Sequence, residues 1–115
     1  MSTVAQPDVV DWLGIDHDGN ISLTVVDDLD WSDELRHLWL LQEKLNSYLA
    51  FIESGEVFES VLEQFGRRPP ETTPIKVAVV ASCELPARAR AFMDHAIETF
   101  RGAGFALDHQ VVAVP

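Results

Sequence analysis

Ile21, Leu23 and Val25 alternate with Ser22 and Thr24, the period of two expected of a strand with one buried face and one wetter face. Val9 to Ile15 reads as a preceding strand. Between the two, Asp16-His17-Asp18-Gly19-Asn20 holds an Asp-Gly step suited to the positive φ of a tight hairpin. The period then lengthens. Leu35, Leu38, Leu41, Leu45, Tyr48, Leu49 and Ile52 recur at helical spacing and mark a core stripe. They predict a helix over 32–54, capped by Asp30 or Ser32 and stopped by Gly55. At 1.5 Å per residue this helix runs about 34 Å, against ~20 Å for a six-residue strand, so it overhangs its sheet or is crossed there by another element.

Val57, Phe58, Val61, Leu62 and Phe65 predict a short second helix ending at Gly66, followed by an irregular loop with Pro69, Pro70 and Pro74. Ile75 to Ser82 is apolar on both parities, as in an interior strand covered on both faces. Pro86 suits the first turn of a further helix. On it Ala89, Phe92, Met93, Ala96, Phe100 and Ala103 form one face, with Arg88, Arg90, Asp94, Glu98 and Arg101 opposite. Ala106 to Val114 completes the chain as a strand. The order β-β-α-(short α)-β-α-β predicts an α+β fold, a two-layer sandwich with two main helices on a four-stranded mixed sheet. Residues 1–7 read as a flexible tail and 8–115 as a single domain, a size that buries a core without disulfides or structural metal.

Charge changes the picture most. The formal net charge is -11, and nine of the 19 acids lie in the first 35 residues, which hold no lysine or arginine. A negative field of this kind repels nucleic-acid phosphates and attracts cations or basic proteins. Arg67-Arg68 is the only adjacent basic pair, so nucleic-acid binding is not expected. The start of the chain lacks the basic and apolar regions of a signal peptide, and no apolar run approaches the ~20 residues that cross a bilayer. The expectation is a cytoplasmic protein without a membrane span.

Two blocks carry a family resemblance. One is Asp8-Val9-Val10-Asp11 through Gly14-Ile15-Asp16, continued by Gly19-Asn20-Ile21-Ser22-Leu23-Thr24-Val25 and Asp28-Leu29-Asp30-Trp31. The other runs from His37 to Glu56, with Leu41-Gln42-Glu43-Lys44-Leu45-Asn46-Ser47-Tyr48-Leu49-Ala50-Phe51 its most specific stretch. Over roughly the first half of the chain this resembles a family of small bacterial proteins classed as a domain of unknown function. The resemblance implies a bacterial stand-alone domain and carries no activity, cofactor or catalytic residue.

Several segments invite a chemical reading. Asp16-His17-Asp18-Gly19-Asn20 imitates the start of an EF-hand loop, but Ile21 stands where that loop needs glycine, so turn chemistry explains it. Cys83, the only cysteine, lies before the Pro86 helix. It lacks a histidine base in reach, His95 being twelve residues on, and reads as a quiet thiol. Gln42, Asn46 and Glu53 share one helix stripe, which lines a groove or forms the solvated face to which Glu43 and Lys44 belong. Trp39, Leu40 and Phe51 are apolar residues off the core stripe, covered by the short helix with Phe58 and Phe65 or by a partner. Asp27, Asp28, Asp30, Asp33 and Glu34 exceed what helix capping requires.

These features predict a non-catalytic interaction module that needs no cofactor or metal. Its partner surface comprises Asp27, Asp28, Asp33, Glu34, Leu40 and Phe51, with the four acids exposed, and it faces a basic protein or a second copy of the chain. A toxin neutralised by a cognate immunity protein is one basic partner that fits. The alternative is a metal-dependent ligand-binding protein or small enzyme using Asp16, Asp18, Asp27, Asp28 and Asp30.

Overall fold

The Asp-Gly hairpin forms as its chemistry dictates. Gly19 takes φ +83°, and Oδ1 of Asp16 accepts the backbone N–H groups of Asp18 and Asn20, each at 2.9 Å. A computed structural model describes residues 3–6 and 10–112. In chain order these form β1 (Trp12–Ile15), β2 (Ile21–Asp27), α1 (Glu34–Glu53), α2 (Glu56–Phe65), β3 (Ile75–Ala81), α3 (Ala87–Gly102) and β4 (Ala106–Val111). The fold is α+β, and the sheet order is β1-β2-β3-β4. Pairing is antiparallel between β1 and β2 and parallel across β2, β3 and β4.

One row of the register, Leu13, Leu23, Val77 and Leu107, crosses all four strands, and every member is buried. Leu41, Leu45, Tyr48 and Ile52 of α1, Val57, Phe58 and Val61 of α2, and Met93, Ala96 and Phe100 of α3 complete the same core. The short helix therefore buries the far end of the long one. The opposite parity, with Thr24, Lys76 and Ala78, faces away from the helices. This corrects the expectation that β3 is covered on both faces. Both crossovers, β2 to β3 and β3 to β4, step in the same direction, so their helices share one layer. The intermediate exposure of Ala78 and Val80 comes from an interior place between two strands.

α1 is turned differently from the leucine stripe. His37, Leu40, Leu41, Lys44, Leu45, Tyr48 and Ile52 are its buried residues, whereas Leu35 is 67% exposed. Lys44, expected on the solvated face, is fully buried. The chain near the start also differs from a loose tail. Val4 is fully buried and its N–H donates to the Val26 carbonyl at 2.8 Å. The expected start of β1 at Val9 and end of β4 at Val114 lie outside the described residues. Leu45 is central to the core, and deleting a buried leucine side chain costs about 2–5 kcal/mol. Leu45→Ala is expected to lower the unfolding free energy by that amount in urea denaturation; an unchanged midpoint would place this helix face outward.

Candidate functional site

The segment joining β2 to α1 concentrates the chemistry that the sequence pointed to. Asp27 ends β2 and is 1% exposed. Ten residues on, Nε2 of His37 lies 2.7 Å from both Asp27 carboxylate oxygens. Nδ1 of His37 lies 2.8 Å from the Asp30 carbonyl oxygen, which only accepts, so Nδ1 carries a proton and donates it. A further proton bridges Nε2 and the carboxyl group. Burial pushes the Asp27 carboxyl up, partly offset by hydrogen bonds from His37 and Leu29. Trp31 stacks on the imidazole at 3.5 Å between ring centroids. Both ring nitrogens are engaged and the ring is 2% exposed, so this pair holds the start of α1 and presents no free nitrogen for acid–base catalysis.

A second polar knot lies two turns further along α1. The Lys44 ammonium reaches Oδ1 of Asp11 at 2.6 Å and donates to the carbonyls of Thr3 and Gln6 at 3.0 and 2.6 Å. The other Asp11 oxygen, Oδ2, accepts the Val26 N–H at 2.8 Å. Tyr48 donates its hydroxyl to the Thr24 carbonyl at 2.6 Å and accepts the Asp11 N–H at 2.7 Å. Burial raises the tyrosine hydroxyl pKa well above its ordinary value. Asp11 thus replaces the backbone of β1 along the upper edge of β2, which is why β1 starts only at Trp12.

The remaining candidates spread over the molecule. Asp28 and Asp33 are exposed, and Asp33 caps α1 by accepting the Arg36 N–H at 3.3 Å. Asp30 accepts both the hydroxyl and the N–H of Ser32, which hold its carboxyl below the usual range. Glu34 is partly covered and pairs with Arg88 at 3.9 Å. Asp27 and Leu40 are inside, a correction to the surface of six residues: His37 claims the first and the core the second. Phe51 packs partly buried against the core. Outside stand Leu35 and Trp39, 67% and 57% exposed.

The five aspartates of the metal alternative do not come together. Asp16 and Asp18 lie at the hairpin end of β2, and Asp27, Asp28 and Asp30 at the other, about 20 Å away over a seven-residue strand. Among the described residues, no three His, Cys, Asp or Glu side chains converge as a metal set. The half-buried Cys83 has the Ser82 hydroxyl 4.0 Å from its sulfur. Gln42 and Asn46 line a groove against α3, while Glu53 borders a separate hollow near Pro74 and Phe105. His109, on the helix-facing parity of β4, is held below the usual histidine value mainly by burial, against the pull of Asp27, Glu84 and Asp108.

The buried groups generate two expectations. Lys44→Met leaves the Asp11 carboxylate inside without its cation and is expected to cost about 3–5 kcal/mol. Adding Asp11→Asn removes that charge while keeping an oxygen for the Val26 N–H, so it restores part of the loss; additive losses in urea melts would contradict the pairing. The depressed His109 pKa means that the unfolded chain binds the proton more readily. Its stabilising contribution is complete above the unfolded value of about 6.5 and is lost as pH falls through the lower folded value. Wild type is therefore expected to lose more stability than His109→Gln between pH 7.5 and 5.5, and parallel curves would refute it.

No helix among the described residues is long and apolar enough to cross a membrane. No curated protein and no solved structure matches the chain. A family described as a family of unknown function, DUF6572, matches residues 1–113, which extends the resemblance from the first half to nearly the whole chain. The chain belongs to that family.

Proposed function

We propose that this protein is an acidic interaction module that binds a basic protein through the first half of α1. The observation that carries this reading is the exposed pair Leu35 and Trp39, one helical turn apart and therefore side by side. They lie on the first turns of the helix that Asp33 caps and Glu34 begins. Apolar anchors within a charged rim are the pattern of a protein-binding surface, and tryptophan is prominent among residues that dominate binding energy. The buried titratable groups support the same reading, because His37 and Lys44 are engaged by internal partners. A second copy of the chain would bring like charges together at this patch, which costs several kcal/mol.

A photoreactive amino acid at position 39 would capture the partner in cells for binding kinetics. The variant Asp28→Asn/Asp33→Asn/Glu34→Gln removes three charges, retains an oxygen at the helix cap and leaves Asp30 with Ser32. Its association rate at low ionic strength is expected to fall by about tenfold or more, with a weaker salt dependence than wild type. Its stability changes little, since interactions with the helix dipole are worth about 0.3–1 kcal/mol each. Equal association rates at low salt would end the proposal that these acids recruit a partner.

A further inference from the structure

β4 ends the sheet, and among the described residues no strand lies against its outer side. The Val112 N–H donates to the Ala81 carbonyl at 2.8 Å, and alternate residues of a strand turn their backbone polar groups to opposite sides. Ala106, Asp108 and Gln110 therefore serve β3, whereas Leu107, His109 and Val111 direct theirs outward. β4 holds neither proline nor lysine to discourage pairing at this edge. At its start a hollow of about 390 Å³ is lined by Ile97 and Arg101 of α3 together with Phe105 and Leu107. Phe92, His95 and Thr99 occupy the side of α3 toward α1, so Ile97 and Arg101 stand on the far side of that helix, above the outer edge. At the other end of β4, Val111 is 40% exposed, on the same helix-facing parity as Leu107.

We infer that a second copy of this chain pairs antiparallel with β4 about a two-fold axis at His109, joining two four-stranded sheets into one. This register sets Leu107 against Val111 of the second copy and His109 against its counterpart. Leu107, His109 and Val111 each exchange N–H···O=C bonds in both directions with the residue opposite, about six bonds in all. The exposed Val111 of each copy enters the hollow beside Leu107 of the other. One surface thus supplies both the knob and its seat, as a two-fold interface requires. On the open face of the sheet Asp108 meets Gln110 of the second copy. Oδ1 of Asp108 is buried without a hydrogen-bond partner, and the Gln110 amide is a donor for it. The His109 pair adds no repulsion, since burial favours the uncharged imidazole. An axis at Asp108 would instead set two carboxylates directly opposite each other, which destabilises a sheet. Charge favours this edge as well. The first 35 residues, with nine of the 19 acids, build β1, β2 and the start of α1, and the sheet order keeps β1 and β2 away from β4. This surface is separate from the one proposed on α1 and does not depend on it.

Sedimentation equilibrium of the full chain, from micromolar to millimolar concentration, is expected to reach twice the mass of one chain. Val111→Lys puts a second cation beside Arg101 in the hollow and is expected to weaken dimerisation at least about tenfold, with amide dispersion confirming its fold. Cross-linking in a Cys83→Ser background reads the register independently of that variant. Asp108 and Gln110 of opposite copies form a non-hydrogen-bonded pair with Cα atoms about 4.5 Å apart, within the disulfide reach of ~4.4–6.8 Å. A mixture of Asp108→Cys and Gln110→Cys proteins is expected to form the mixed disulfide about tenfold faster than either protein links to itself. Trp39→Ser, on α1, is expected to leave the dimer intact. A monomer at every concentration, a dimer unaffected by Val111→Lys, or self-linking as fast as mixed linking would overturn the inference. Loss of the dimer in Trp39→Ser would place the contact between copies on α1 and overturn it as well.

Discussion

Two basic side chains of α1 lie inside this protein, and the positions of their carboxylate partners decide how the helix is turned. A buried charge without a partner costs several kcal/mol, more than the burial of one leucine returns. His37 and Lys44 are seven residues apart, two turns on one face of the helix. Asp27 at the end of β2 meets the first, and Asp11 just before β1 meets the second. The helix has one rotation that satisfies both. Leu41, Leu45 and Tyr48 fall into the core in that rotation, and Leu35 and Trp39 are left outside.

The same constraint shapes the sheet edge. Asp11 directs one oxygen to Lys44 and the other to the Val26 N–H, so the chain leaves the backbone ladder with that edge still hydrogen-bonded. Lys44 also binds carbonyls of Thr3 and Gln6, which brings Val4 into the core and its N–H to Val26. An exposed edge invites pairing with other chains, and here a short docked segment covers it. The proposed partner surface follows from the packing: the rotation leaves Leu35 and Trp39 outside on the first turns of α1, after the capping Asp33.

Much of the architecture was legible because it rests on local patterns. The hairpin needed only Asp16, Gly19 and the alternation in β2, and the helix stops only the glycines, whereas the start of α1 was placed too early: Asp33 caps it, in place of the expected Asp30 or Ser32. The rotation of α1 was not legible. A hydrophobic stripe ranks Leu35 and Leu38 above His37 and Lys44, while the groups that reverse this order lie 10 and 33 residues away in sequence. Asp27 was hidden for the same reason, standing among exposed acids and differing from them only by its place on the inward parity of β2. That parity, shared with Val25, was the available signal. The apolar second face of β3 misled because sequence does not reveal that both crossovers return on one side. The α1–α3 groove needed two helices distant in sequence, although Gln42 and Asn46 already marked its edge.

The chain has two lysines, Lys44 and Lys76, which makes the central pairing directly measurable. Lys76 is well exposed and bridges to Asp108 at 3.0 Å at the surface, while the Lys44 side chain is inaccessible. Limited acetylation of the native protein, read by mass spectrometry of its fragments, is predicted to modify Lys76 and spare Lys44 until urea unfolds the chain. Modification of both lysines at comparable rates in the folded protein would contradict the buried pairing on which this account of α1 depends.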